Sequence, residues 1–134
     1  MRYDTERTTP APAYCTAMGR TMLAHWDPRS LERYLARVEL VAHTPLTLTD
    51  RGKLVAVLAR VRRQGHAVVD QEYAVGGVGV AAPVRERGGA VVAVLNIGAV
   101  APRFAQSRAR LIEGVKLAAA QISRRLGHRP GQGA

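Results

Sequence analysis

Few residues in this chain have types and spacing that could do chemistry. Cys15, the single thiol, could act as a nucleophile if a helix N-terminus lowered its pKa and His25 or His43 served as base. No third group is placed to orient such a base, and a small buried thiol is the preferred account of the residue. Asp70 and Glu72 stand two apart at a strand end, where both carboxylates could point into one cavity; solvated loop acids are the ordinary alternative. Gly77, Gly79 and Ala82 spell G-x-G-x-x-A, which cradles a pyrophosphate only when a helix begins there. A strand pattern and Pro83 follow instead, so these glycines read as close backbone approach within a sheet. His25, His43, His66 and His128 are far apart, with neither H-x-x-x-H nor paired cysteines, so no metal site is expected. No G-x-S-x-G elbow occurs, and no cofactor is expected.

Composition narrows the classes further. The 134 residues are enough for one domain that buries roughly two thirds of the surface its unfolded chain would expose. Aromatic residues make up only 4%, so the core must be built from Val, Leu, Ile and Ala, with few rings for base stacking. No apolar run approaches the roughly 20 residues of a membrane span. The start, MRYDTERTTPAPAY, has no apolar segment behind Arg2 and is not expected to be a signal peptide. The lone cysteine excludes an internal disulfide and fits a reducing cytoplasm. A net charge of +10 invites a nucleic-acid reading. Against it, nearly all the positive charge is arginine in a chain rich in Ala, Val and Gly, as GC-rich coding produces. The arginines also read as scattered, solvated helix faces, densest at Arg60, Arg62 and Arg63 and then at Arg124 and Arg125.

These residues must be positioned by a small set of elements. Residues 1–11 read as a lead-in without fixed structure. Thr16 can cap a helix carrying Met18, Met22 and Leu23 on its apolar side. Asp27-Pro28 starts a second helix, with Leu31, Tyr34, Leu35 and Val38 on one face. Leu40 to Thr49 reads as a connecting loop. Asp50 starts a third helix, with Leu54, Val57, Leu58 and Val61 at core spacing and Gly65 as its stop. Ala67 to Val69 and Val78 to Val84 are strands flanking a loop. Arg85 to Gly89 is a hairpin loop, and Ala90 to Ile97 returns as a strand so apolar that burial on both faces is expected. Gly98 to Arg103 reads as a turn. A final helix from about Ser107 to Leu126 carries a stripe of Leu111, Val115, Ala118, Ala119, Ile122 and Leu126, and residues 128–134 form a flexible tail. No repeat or interdomain linker is visible.

Four blocks in unbroken order carry a family resemblance: PAYCTAMGRTMLA, ARVRRQGHAVVDQEYAVGGVGVAAPV, AVVAVLNI and a closing helix ending ISRRLG. Together, over residues 12–127, they resemble the effector-binding domain of IclR-family bacterial transcription regulators. They are most similar to the subgroup controlling protocatechuate and β-ketoadipate catabolism. The resemblance implies a mixed α+β, GAF-like or profilin-like fold, an antiparallel sheet flanked by helices, and a pocket for a small carboxylate effector. It places Thr16, Ala17, Met18 and Gly19 as donors of backbone N–H groups, which agrees with a helix N-terminus being an anion site. Val69, Asp70, Glu72 and Gly79 are its implied walls. It further implies a homo-oligomer, a dimer or tetramer, that reaches DNA only through a helix-turn-helix domain.

Two departures accompany the resemblance. No winged helix-turn-helix pattern precedes the matching blocks, and the first helix and strands of the family's effector domain are expected to be missing. That would make the domain partial and leave a sheet edge open. Where the family carries a Gly-Leu-Arg-Ser-type sequence, this chain has Gly76-Gly77-Val78-Gly79, without the polar side chains expected at the last two positions. Three function classes follow: the effector-sensing part of an aromatic-acid-responsive regulator, which is preferred, a basic nucleic-acid binder, and a small enzyme built on Cys15 or Glu72. A truncated regulator without function is a further alternative to the first.

Overall fold

The computed structural model describes residues 11–131. The expected lead-in lies outside the described residues except for Ala11, and of the expected tail only residues 128–131 are described. In chain order, a 3-10 turn (Ala13–Cys15) is followed by α1 (Ala17–Ala24), α2 (Pro28–Arg37), α3 (Arg51–Gln64), β1 (Ala67–Asp70), β2 (Gly77–Arg85), β3 (Val91–Val100) and α4 (Ala101–Arg125). The mixed α+β expectation holds: the three strands form one antiparallel sheet in the order β1-β2-β3, with helices against both faces.

Helix starts follow their caps. Thr16 Oγ1 accepts the Gly19 N–H at 3.1 Å, Asp27 Oδ1 accepts that of Ser30 at 3.0 Å, and Asp50 Oδ1 accepts that of Lys53 at 2.9 Å. Each cap satisfies a donor that the first helical turn leaves without an intrahelical partner. Gly65, at φ 76°, stops α3 in the left-handed conformation that favours glycine.

The strand period of two divides the core. On one face Val69 and Ala81 pack with Leu23 of α1 and with Leu54, Leu58 and Val61 of α3, while Leu31, Tyr34 and Leu35 of α2 and Val38 just after it lie over that cluster, half-buried. On the other face Val78, Val80, Ala82 and Val84 pack with Phe104, Val115 and Ala119 of α4. β2 is therefore the strand covered on both sides.

Several expectations are corrected. β3 is expected from its apolar run to be buried on both faces, yet none of its residues is fully buried and Val92 is 55% exposed. It is an edge strand, and an apolar run alone does not distinguish an edge from a centre. Met18 and Met22 face outward, because the buried side of α1 is formed by Ala17, Arg20, Thr21, Leu23 and Ala24. The turn expected over 98–103 is absent: β3 runs to Val100 and α4 begins at Ala101, with Pro102 in its first turn, where its missing N–H costs nothing. Ser107, the expected start of that helix, is instead a kink inside it (φ −130°). Toward the end of α4, Ile122 and Leu126 of the expected stripe are exposed. No helix among the described residues is long and apolar enough to cross a membrane.

Gly19 shows how closely the layers approach. A Cβ built there would lie 2.3 Å from Ala13 Cα and 2.4 Å from Ala13 O, backbone atoms that cannot rotate away. Gly19→Ala must push the 3-10 turn off α1, and we expect a loss of about 3 kcal/mol in urea unfolding.

His25 gives the fold a pH dependence. Its Nδ1 bonds to Thr21 O at 2.8 Å, and its Nε2 is buried without a partner. Burial lowers its pKa, with Arg85 and Arg62 adding to the effect against the opposing Thr21 bond; burial likewise lowers that of His66. The unfolded chain therefore binds more protons, so stability should be level above the ordinary histidine pKa of about 6.5 and fall as pH drops through it. Melting temperature measured from pH 7.5 to 5.5 should decrease, and His25→Gln should flatten the trend.

Candidate functional site

The first turn of α1 meets the sheet at its glycines. The first intrahelical bond runs from Arg20 N to Thr16 O at 2.9 Å, and the Thr16 hydroxyl takes the Gly19 N–H. The N–H groups of Ala17 and Met18 precede that ladder, at the positive end of the helix dipole. Below them, Gly79 of β2 pairs with Gly98 of β3 and with Val69 of β1. A Cβ on Gly79 would stand 3.1 Å from Ala17 Cβ, 3.6 Å from Asn96 Oδ1 and 3.9 Å from Ala17 N. The helix end, the glycine floor and the Asn96 amide thus converge on one small region.

The sequence-derived residues divide between this region and its supports. Thr16, Ala17, Met18, Gly19 and Gly79 are brought together there. Val69 is buried beside Gly79 in the α1–α3 core. Asp70 and Glu72 do not share a cavity. Asp70 is exposed, with Oδ1 accepting from Gln71 Nε2 at 3.2 Å, whereas Glu72 is held by Arg20 through two bonds of 2.6 and 2.7 Å. Val78 faces α4 on the opposite side of the sheet, so a side-chain change there does not reach the glycine floor.

Sequence reasoning missed Arg20, Asn96 and the threonines of the connecting segment. Arg20 Nε donates to Tyr14 O at 2.7 Å while its two Nη groups hold Glu72, and Glu72 Oε1 also accepts Leu48 N–H at 2.9 Å. The Thr44 hydroxyl donates to Gln71 O at 2.6 Å and the Thr47 hydroxyl to Glu72 O at 2.5 Å. The segment read as a plain loop is therefore stitched to the β1–β2 turn. Asn96 had one signal, as the single polar residue in AVVAVLNI. Arg20 had none, since its partner lies 52 positions away.

In chemical terms the region offers N–H donors, an amide and a dipole end, while Glu72, the carboxylate drawn closest to α1, is already neutralised. That suits a small anion. It supplies no nucleophile: Cys15 is fully buried, and burial pushes its thiol up to about 11. No group of three potential metal ligands occurs among the described residues. A separate groove lined by Leu95, Ala118, Ile122 and Arg125 lies between β3 and α4 and contains none of the residues above.

Comparison with known proteins places the fold. Residues 3–124 match the family described as bacterial transcriptional regulator IclR, C-terminal, and the chain belongs to that family. It is 45% identical over 96 residues to the Pca regulon regulatory protein of Pseudomonas putida, covering 72% of this chain and 33% of that protein. It superposes on the crystal structure of the C-terminal domain of the Escherichia coli regulator KdgR with a TM-score of 0.78 at 34% identity, covering 87% of this chain and 72% of that one. A double mutant of the PobR inducer-binding domain from Acinetobacter, solved with 3-hydroxybenzoic acid, shares the fold, with a TM-score of 0.75 at 23% identity over 84% of this chain and 67% of that one. The relatives are transcription regulators, not enzymes. The chain spans 33% of the Pca regulator and 45% of KdgR from Escherichia coli K12.

The Arg20–Glu72 pair can be tested directly. Their side chains are 3% and 16% exposed, so removing one partner strands a charge in a poorly solvated place. Arg20→Met should cost about 3 kcal/mol in urea unfolding, and adding Glu72→Leu should recover most of it.

Proposed function

We propose that the α1 end is the effector site of this regulator domain and that the effector is a small carboxylate. The observation that carries the proposal is the placement of the first-turn N–H groups that precede the intrahelical ladder over a floor of two glycines, beside Asn96, with Glu72 neutralised by Arg20. A carboxylate would take the Ala17 and Met18 N–H groups and the Asn96 amide, beside Gly79, where α1 and β2 approach each other closely. Val69, Asp70 and Glu72 then act differently from the walls first assigned: Val69 supports the floor, Glu72 fixes Arg20 and Asp70 meets solvent.

Similarity to a Pca regulator and a fold shared with an inducer-binding domain solved with 3-hydroxybenzoic acid favour an aromatic acid or a related keto acid. In a complete regulator, occupancy of this site would change operator affinity through a helix-turn-helix domain. That is a coupling between two sites within a cytoplasmic dimer or tetramer.

Protocatechuate, 4-hydroxybenzoate, β-ketoadipate and pyruvate form the first thermal-shift panel. At about 100 times its Kd, a true effector should stabilise the fold by about 2.7 kcal/mol, a melting shift of roughly 10 °C. Asn96→Leu should reduce that shift, and the corresponding amide in place of the acid should give none. A folded sample unmoved by all four acids would overturn the proposal.

A further inference from the structure

Six of the arginines that read as scattered in the sequence are gathered by the fold at one end of the sheet, away from the effector site. α3 finishes with Arg62 and Arg63 just before β1 begins at Ala67, which pairs with Ala81 at the middle of β2, so the antiparallel chain leads back from there toward the Arg85 end. β2 ends at Arg85, whose N–H donates to Ser123 Oγ at 2.9 Å and so draws in the end of α4 with Arg124 and Arg125. A Cβ on Gly127 would stand 3.3 Å from the Arg87 side chain, which places the hairpin against the same helix end. Arg85 and Arg62 both bear on His25, at the end of α1. Six residues of strand separate Gly79 from Arg85, roughly 20 Å.

Two ordinary explanations fall short. Cations in a last helical turn offset the helix dipole, but three helix ends supply only about half a negative charge each, against six arginines. Ion pairing does not absorb them either: the two ion pairs among the described residues, Arg20–Glu72 and Lys116–Glu113, lie elsewhere. Glu86 is the hairpin's single carboxylate, and Asp27 is engaged in capping α2. Arg62, Arg63, Arg87, Arg124 and Arg125 are all exposed.

We propose that this arginine-rich end is a contact surface for the phosphate backbone of double-stranded nucleic acid, made by the effector domain itself. Guanidinium forks match phosphate oxygens, and arginines projecting from three separate elements can meet successive phosphates of a rigid duplex. Single-strand binding would need stacking rings, of which the chain has few, aromatic residues making up only 4% of it. Such contacts carry no sequence information; they would add affinity to whatever operator is read elsewhere in a complete regulator. The surface is independent of the effector reading, and its test contains no carboxylate ligand.

The experiment is fluorescence anisotropy of the full chain with a 20-base-pair DNA duplex of arbitrary sequence, titrated across a salt series. Binding should weaken steeply with salt. The variant Arg62→Gln/Arg124→Gln should lower the log–log slope by about 1.8, at roughly 0.9 per lost phosphate contact. The variant Lys53→Gln/Arg103→Gln removes the same charge from the first turns of α3 and α4, at the other end, and should leave the slope unchanged. Absence of binding, an equal fall in the control variant, or displacement of the duplex by polyglutamate at equal charge concentration would each overturn the proposal; the last would indicate an acidic protein surface instead.

Discussion

The arrangement depends on a single buried contact, the fork of Arg20 around Glu72. Through Arg20 it reaches the Tyr14 carbonyl, and so the 3-10 turn before α1; through Glu72 it reaches the Leu48 N–H, and so the segment before α3. Four stretches of chain are held by two side chains. Because Arg20 belongs to the second turn of α1, the pair also fixes where the first turn of that helix stands over the sheet. A charged pair taken from water adds little net stability. What it supplies here is position, which a cluster of aliphatic side chains would define less sharply.

Much of the fold was legible because its signals are local. Thr16, Asp27 and Asp50 announce their helices within three residues, and Gly65 ends α3 through its own backbone preference. The 3.6-residue period of α3 reports its buried side directly. Where the sequence misled, the deciding contact was distant or the local signal was ambiguous. Pro102 serves a turn as well as it serves the first turn of a helix. AVVAVLNI is as apolar as a central strand, yet its place at the edge depends on which neighbours pair with it. An arginine within a helix ordinarily meets solvent, and nothing beside Arg20 in the chain shows that Glu72 will draw it inward.

The candidate site was legible in the same uneven way. The capped helix start at Thr16 and the small residue at Gly79 could be read from residue types and a family resemblance. The resemblance could not say that Val69, Gly79 and Gly98 stand side by side in register, or that Val78 turns its side chain toward α4. Alternation along a strand settles that question, and it requires the register. The positive charge was visible from composition, but the collection of six arginines at one end comes from the ends of α3 and α4 meeting the end of β2 and its hairpin.

β3 has a further consequence for how the molecule behaves in bulk. Its ten residues carry no charge and no proline, its outer edge meets no partner strand among the described residues, and Val92 and Val100 are exposed along it. Such an edge is a template for strand addition, and the strand itself carries neither of the common guards, a charge or a proline. The net charge of +10 opposes approach between molecules as long as it is not screened. At physiological ionic strength that repulsion reaches only about 8 Å, and less as salt is added. Added salt therefore weakens the one long-range repulsion that acts between exposed β3 edges.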